Sequence, residues 1–354
     1  MKVLHVACID NSPFKGVCVA VPQYVRSQQG KNEVALLNIN TCRIDGIVNS
    51  FIFDNRSYRS SVSEEFQKPD IVVFHEVYHF TFIIISLELR NSHVPYVIVP
   101  HGCLVTAAQN KKWLKKKLAN LLFFNSFIDR AEAIQCLSQQ EIDNTKFMVK
   151  KFLCSNGVNY PAVCNKHFSA RGVSLTYIGR LDIYVKGIDI LIDSVRLVAA
   201  FLRKEKVIID IYGPDILGSF NKIDALIKEN GVNDIIHLHH EISGREKEFV
   251  LDNTDIFIQT SRHEGMPMGI LEAMGMGVPC LVTVGTSLGG IIASYEAGWV
   301  AENNVESVAK TIQRAVSDRK HLINFSKNAR KLVIDNFAWD KISYLAIESY
   351  KAYI

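Results

Sequence analysis

Short apolar runs alternate with longer amphipathic stretches along the whole of this 354-residue chain, and no other feature constrains its fold as tightly. In the first half the runs are residues 3–8, 34–37, 71–74, 96–99 and 133–136, with helical patterns at 17–28 and 112–124 between them. In the second half they are 175–178, 207–212, 235–238, 256–259 and 280–284, with helical patterns at 188–202, 222–229, 305–317 and 321–336. Runs of four to six apolar residues without strict alternation read as strands buried on both faces. Strands joined through helices pair in parallel. The fold class expected is therefore α/β, built of parallel sheets. A last stretch, 339–353, reads as an amphipathic helix with Ile342, Leu345, Ala346 and Tyr350 on one side.

The length suits two domains of ordinary size. The best boundary is 155–171, which lacks a period and holds the turn dipeptide Asn156-Gly157, then Asn159 and Pro161. Two such halves would leave a cleft, and open parallel sheets bind ligands beyond the carboxyl ends of their strands. Composition is that of a globular protein, 48% hydrophobic and 21% charged; the net charge of +4 gives no reason to expect a nucleic-acid partner. The eight cysteines are scattered, with no Cys-x-x-Cys pair and no Cys/His set at zinc spacing, which favours reduced thiols and a metal-free, cytoplasmic protein. Residues 1–8 read as a first strand rather than a signal peptide. The longest apolar run, 80–87, is far short of the roughly 20 residues of a spanning helix.

Residues 259–274 carry most of the chemical information. Glu264 and Glu272 lie eight positions apart, the first in a turn marked by Gly265 and Pro267, the second expected in the opening turn of a helix. Carboxylates accept hydrogen bonds from sugar hydroxyls, and the free N–H groups of a helix start attract phosphate. A plainer reading makes Glu272 a complement to the helix dipole and Glu264 a solvated loop acid. Upstream, Gly179-Arg180 ends a strand and Lys186-Gly187 opens a helix, a cation pair suited to a pyrophosphate; the alternative is a surface Arg180–Asp182 pair beside an exposed lysine. Pro100-His101-Gly102 puts a histidine directly after a strand, for a functional or a structural purpose. Residues 286–290 (Thr-Ser-Leu-Gly-Gly) offer a second anion cradle or a plain turn. No dinucleotide fingerprint is present, which argues against a nicotinamide enzyme.

Two further clusters admit two readings each. Lys111, Lys112, Lys115, Lys116 and Lys117 surround Trp113, with Leu114, Leu118, Leu121 and Leu122 in a helical stripe behind them. That pattern is a solvated face over a buried stripe, or a contact with an anionic membrane surface. His237, His239 and His240 look like metal ligands but close a strand without an acid or cysteine pattern of their own.

Together these motifs resemble the retaining GT-B glycosyltransferases of family 4, most strongly from 175 to 274. The resemblance rests on Glu264 to Glu272, Gly179-Arg180 with Lys186-Gly187, Pro100-His101-Gly102, Asn156-Gly157-Val158 and the closing Phe337-Ala338-Trp339. It implies two Rossmann-like domains facing across a cleft. Residues 1–157 would form the acceptor-side domain and 158–336 the nucleotide-sugar domain, with 337–354 crossing back onto the first. By the same resemblance Arg180 and Lys186 neutralise the donor diphosphate, Glu272 binds the ribose, and Glu264 with the backbone of Gly265, Met266, Pro267 and Met268 holds the sugar. His101 would lie at the reacting centre, and Gly16, Gly179, Gly269, Ile270 and Leu271 would complete the donor site. The activity implied is retaining transfer of a hexosyl or N-acetylhexosaminyl group from a nucleotide-sugar such as a UDP-sugar. The acceptor would be a glycan or polyprenyl-diphosphate-linked intermediate of surface polysaccharide (O-antigen, capsule), at the cytoplasmic face of the inner membrane. No cofactor or metal is implied, in keeping with the lack of an Asp-x-Asp motif. A nucleotide-sugar epimerase and a non-catalytic sugar-nucleotide or glycan binder are the alternatives. Two departures stand out: Lys15-Gly16 replaces a glycine pair in the first loop, and His240 replaces a glycine after the 235–239 strand.

Overall fold

The structure, a computed structural model, describes residues 1–30, 32–110, 113–164, 166–168, 172–216 and 218–354. It is α/β, and its compact units are two: Met1–Gly157 with Trp339–Ile354, and Val158–Ala338. The first unit holds strands β1 (Lys2–Ala7), β2 (Glu33–Asn38), β3 (Asn49–Ile52), β4 (Ile71–His75), β5 (Tyr96–Val99), β6 (Ala133–Cys136) and β7 (Lys151–Leu153). They form one sheet in the order β3-β2-β1-β4-β5-β6-β7. The second unit holds β8 (Val173–Ile178), β9 (Val207–Tyr212), β10 (Ile236–His239), β11 (Ile256–Gln259), β12 (Cys280–Thr283) and β13 (Gly298–Ala301), ordered β10-β9-β8-β11-β12-β13. All pairings within these sheets are parallel.

The central strands are buried on both faces, as the unbroken apolar runs require: every residue of β4, β5, β11 and β12 is buried. The same doubly wound order recurs in each unit. The progression of strand order reverses between β1 and β4 in the first and between β8 and β11 in the second, and crevices form at such points beyond the strand carboxyl ends.

Strands β3, β7 and β13 were not legible as apolar runs; Asn49, Ser50 and Lys151 are edge-strand residues whose polar side chains do not need a core. The run expected at 280–284 stops at Thr283, because Val284 opens a 3₁₀ turn. The pattern at 112–124 is not one helix. Trp113–Ala119 gives way to a π-helical turn, Asn120–Phe124, and then to a short helix, Asn125–Asp129. The stripe expected to be buried there is on the surface: Leu114, Leu118, Leu121 and Leu122 are 65, 59, 72 and 59% exposed. Lys111 and Lys112 lie outside the described residues. The last helix is Trp339–Lys351; Leu345, expected to face inward, is exposed, while Trp339, Ile342, Ser343, Ala346, Ile347 and Tyr350 are buried. Trp339 leaves no room for a side chain at Gly157, where a Cβ would sit 2.5 Å from its indole. Its Nε1 donates to Gln23 Oε1 (2.9 Å).

Candidate functional site

The second unit gathers its chemistry at the carboxyl ends of β8 and β11. After β8 the chain turns through Gly179 and Arg180 into a loop that ends at Lys186-Gly187, the start of helix Ile188–Lys204. Backbone crowding dictates the glycines. A Cβ on Gly187, whose φ is +63°, would lie 2.0 Å from Thr260 O, and one on Gly213 would lie 1.8 Å from Gly179 O. Thr260 Oγ1 donates to Gly187 O (2.8 Å), tying the two loops together. Arg262 clamps them further. Its guanidinium donates to both oxygens of Asp189 (2.8 and 2.7 Å) and to Tyr184 O (2.7 Å), and it stacks on the Tyr184 ring.

Within this frame Lys186 and Glu264 form a nearly buried ion pair. Glu264 Oε1 collects three donors: Lys186 Nζ, Ser261 Oγ (2.8 Å) and Gln259 Nε2 (3.0 Å). Its other oxygen, Oε2, accepts from no described residue. The carboxylate is thus pinned by one oxygen and open at the other. The backbone is held equally firmly, since Ser287 Oγ donates to Glu264 O (2.7 Å), Thr283 Oγ1 to Ser261 O (2.7 Å) and Asn303 Nδ2 to Ser261 O (2.8 Å). Ser287, in the segment read as a second anion cradle, therefore supports the Glu264 turn.

Arg180 is exposed, and its guanidinium joins no hydrogen bond or ion pair among the described residues; the surface pair with Asp182 does not form. Lys186 is buried rather than exposed. Both plainer readings of the Arg180/Lys186 motif are thereby corrected. Glu272 also differs from expectation. The helix runs Met268–Gly275 with Pro267 as its cap, so Glu272 sits in the second turn and not the first. It pairs with Lys247 on the neighbouring helix Gly244–Asp252. At the helix start, a Cβ on Gly269 would lie 3.1 Å from Ile178 O, which sets that N-terminus beside the end of β8. Gly265, Met266 and Pro267 form the turn before it, and Ile270 and Leu271 are buried in the core beneath.

The histidines near β9 and β10 find partners within the second unit. Asp210 accepts from His239 Nε2 (2.7 Å) and lies 3.6 Å from His237 Nδ1. His239 stacks on Tyr212 and His240 on Phe220.

In the first unit, His101 follows β5 with φ +49°, a left-handed conformation unusual outside glycine. It does not stand alone: it hydrogen-bonds His75 at the end of β4, which in turn bonds His5 in β1. Burial holds the His5 and His101 imidazoles down at about 4, offset in part by the Gln28 hydrogen bond and the Glu76 charge respectively. Burial and then its two neighbours hold His75 well below the ordinary value. Sequence reasoning passed over His5, His75 and Gln28; the available signal was a polar residue inside or closing each of two apolar runs. Gly16 begins helix Gly16–Gln28, where a Cβ would meet open space, and Lys15 beside it pairs with Asp10. All eight cysteines are free thiols.

This geometry now meets known proteins. Residues 168–332 match the family model of the glycosyl transferases of group 1. The group 1 segment contains Arg180, Lys186, Glu264 and Glu272. An uncharacterized glycosyltransferase of Methanocaldococcus jannaschii is 28% identical over 184 residues, 50% of this chain and 44% of that one. The Escherichia coli UDP-Gal:alpha-D-GlcNAc-diphosphoundecaprenol alpha-1,3-galactosyltransferase is 34% identical over 104 residues, 28% of this chain and 27% of its own. The chain thus spans under half the length of these relatives. Anabaena HepE, solved in complex with UDP, superposes with a TM-score of 0.75 over 99% of this chain and all of its own, at 15% identity. The fold class is therefore GT-B, with two Rossmann-like domains.

Proposed function

We propose that the chain is a retaining glycosyltransferase that moves a sugar from a nucleoside-diphosphate donor to a lipid-linked glycan. One observation carries the reading: Glu264 is pinned through a single oxygen by Lys186, Ser261 and Gln259 at the carboxyl end of a parallel sheet, and no described residue donates to its Oε2. A carboxylate so fixed accepts hydrogen bonds from vicinal hydroxyls without reorganising, which favours a sugar over a freely turning ligand. Arg180, exposed and without an anionic partner among the described residues, supplies the fork for a diphosphate at the next loop. Lys186 would meet the same charge, and Glu264 balances it before the donor arrives. As the sugar–phosphate bond breaks, negative charge grows on the leaving diphosphate, and fixed cations there lower the barrier without a divalent ion. Glu272 would exchange Lys247 for ribose hydroxyls. His101, in the first unit, would accept a hydrogen bond from a sugar hydroxyl. The named galactosyltransferase uses a UDP-sugar and a diphosphoundecaprenol acceptor, which supports the same classes here.

Contact with the cytoplasmic face of a membrane belongs to this reading. Among the described residues no helix is long and apolar enough to cross a bilayer. The first unit instead exposes Leu114, Leu118, Leu121 and Leu122 beside Trp113, Lys115, Lys116 and Lys117. A second exposed row, Phe80, Ile84 and Leu87, meets this surface where the Phe80 and Phe123 rings touch (5.2 Å). An apolar surface of this extent flanked by lysines fits an anionic interface.

A thermal-shift panel of UDP-, GDP- and ADP-sugars tests the donor assignment, because a ligand bound only by the folded chain raises Tm. The expected result is a rise with one nucleotide class that Glu264→Gln reduces. No shift with any of them overturns it. Interconversion of the donor sugar without an acceptor would instead establish an epimerase.

A further inference from the structure

A single file of hydrogen bonds runs beneath His101 across three adjacent strands. His101 Nε2 lies 3.1 Å from His75 Nδ1, His75 Nε2 lies 3.0 Å from His5 Nδ1, and His5 Nε2 lies 3.0 Å from Gln28 Oε1. His5, His75 and Gln28 are 0, 1 and 1% exposed, so water does not enter the file. His5 and His75 each spend both ring nitrogens within it. A neutral imidazole carries one N–H, so every N–H in the file must point the same way. The amide oxygen of Gln28 only accepts, and this sets the direction. His5, His75 and His101 each donate from Nε2, and His101 Nδ1 is left as a bare lone pair.

We propose that Gln28, acting through His5 and His75, holds His101 as its Nε2–H tautomer so that Nδ1 accepts a hydrogen bond from a hydroxyl of a sugar substrate. This rests on the transferase reading above. Gln28, His5 and His75 are then positioning residues, and only His101 touches substrate. The file ends in an amide that cannot take a proton, so a proton placed on His101 has nowhere to go. The imidazole stays a neutral acceptor. The titratable groups facing the file are Glu76, whose charge acts on His101, and Glu141, whose Oε1 accepts from Gly102 N. On the helix side they are Tyr24, edge-on to His5 and His75, with Tyr350 and Cys154 behind its hydroxyl.

Histidine side-chain ¹⁵N–¹H spectra of the full chain read the tautomers without reference to activity. The expected pattern is an unprotonated Nδ1 and a protonated Nε2 on all three residues. Gln28→Glu adds a carboxylate that stabilises an imidazolium. It should bring a doubly protonated ring up toward neutral pH, cut transfer at pH 7 on the order of tenfold, and restore it as pH rises. Gln28→Leu removes the direction and should give mixed tautomers. A protonated His101 Nδ1 in the native chain, or tautomers indifferent to both folded variants, overturns the proposal. If the spectra match and no nucleotide-sugar is consumed, the relay stands and the transferase reading fails.

Discussion

The two units share one strand order but equip the ends of their strands in opposite ways. In the second unit the loops after β8 and β11 bring fixed charges together: Arg180 exposed, Lys186 and Glu264 paired. In the first, β1, β4 and β5 carry three imidazoles that burial keeps neutral. Topology supplies the place, and side chains decide whether it is electrostatic or neutral. On the proposed reading, one sheet meets a polyanion and the other meets hydroxyls.

The largest expected effect tests the charged end. Arg180→Ala should lower nucleoside-diphosphate release roughly 10²–10³-fold, the cost of losing one donor to developing charge. Because Arg180 is exposed, Tm should move little, as for a surface substitution worth within about 0.5 kcal/mol. Steady-state kinetics beside a melting curve separates the two. An unchanged rate would remove Arg180 from the site.

Gly187→Ala attacks the same frame through the backbone. Its Cβ would meet Thr260 O at 2.0 Å in a left-handed conformation, so one of the two tied loops must move. A loss of roughly 2–4 kcal/mol is expected from strain and the broken Thr260 tie, read by denaturant unfolding. Lys186→Met should fall in a similar range, since it leaves Glu264 with neutral donors only. A Gly187→Ala chain as stable as the parent would mean the loops are not locked.

Much of this was legible beforehand, for a physical reason. Fully buried parallel strands need unbroken apolar runs, so β1, β4, β5, β11 and β12 announced themselves, whereas edge strands β3 and β7 have no such need. Turn chemistry marked Gly187, where close backbone approach leaves few choices. What stayed hidden depends on side chains meeting across the fold. Nothing in a linear pattern says that Lys186 reaches Glu264, that Lys247 reaches Glu272, or that His5, His75 and His101 align. The leucine stripe misled for the same reason, because helical spacing tells which residues share a face and not whether that face is covered.

The neutral end is tested by acid. His5 and His101 have folded values of about 4 against an ordinary 6.5, so between these limits the unfolded chain binds more protons than the folded one. Stability of the first unit therefore rises with pH through this window and is lost as pH falls from 6.5 toward 4. The loss is up to roughly 3 kcal/mol for each histidine. Unfolding followed at pH 7, 5.5 and 4.5 should show the decline, and His5→Gln should flatten it. A pH-independent first unit would mean that water reaches the relay.

The smallest effect concerns the surface rather than either strand end. Each lysine near an anionic leaflet contributes about 1 kcal/mol, and the leucines add roughly 0.8 kcal/mol per CH₂ withdrawn from water. Changing Lys115, Lys116 and Lys117 to Gln should weaken flotation with anionic vesicles by about a hundredfold in partition coefficient at low salt, and less at high salt as screening takes over. Leu121→Ser should weaken flotation on neutral vesicles too, where the lysines have nothing to bind. Folding should be nearly indifferent to Leu121→Ser, since Leu121 is already on the surface. If neither change alters flotation, the exposed leucines serve a protein partner instead, and the first unit differs from the second in its neutral strand ends but not in a lipid-facing side.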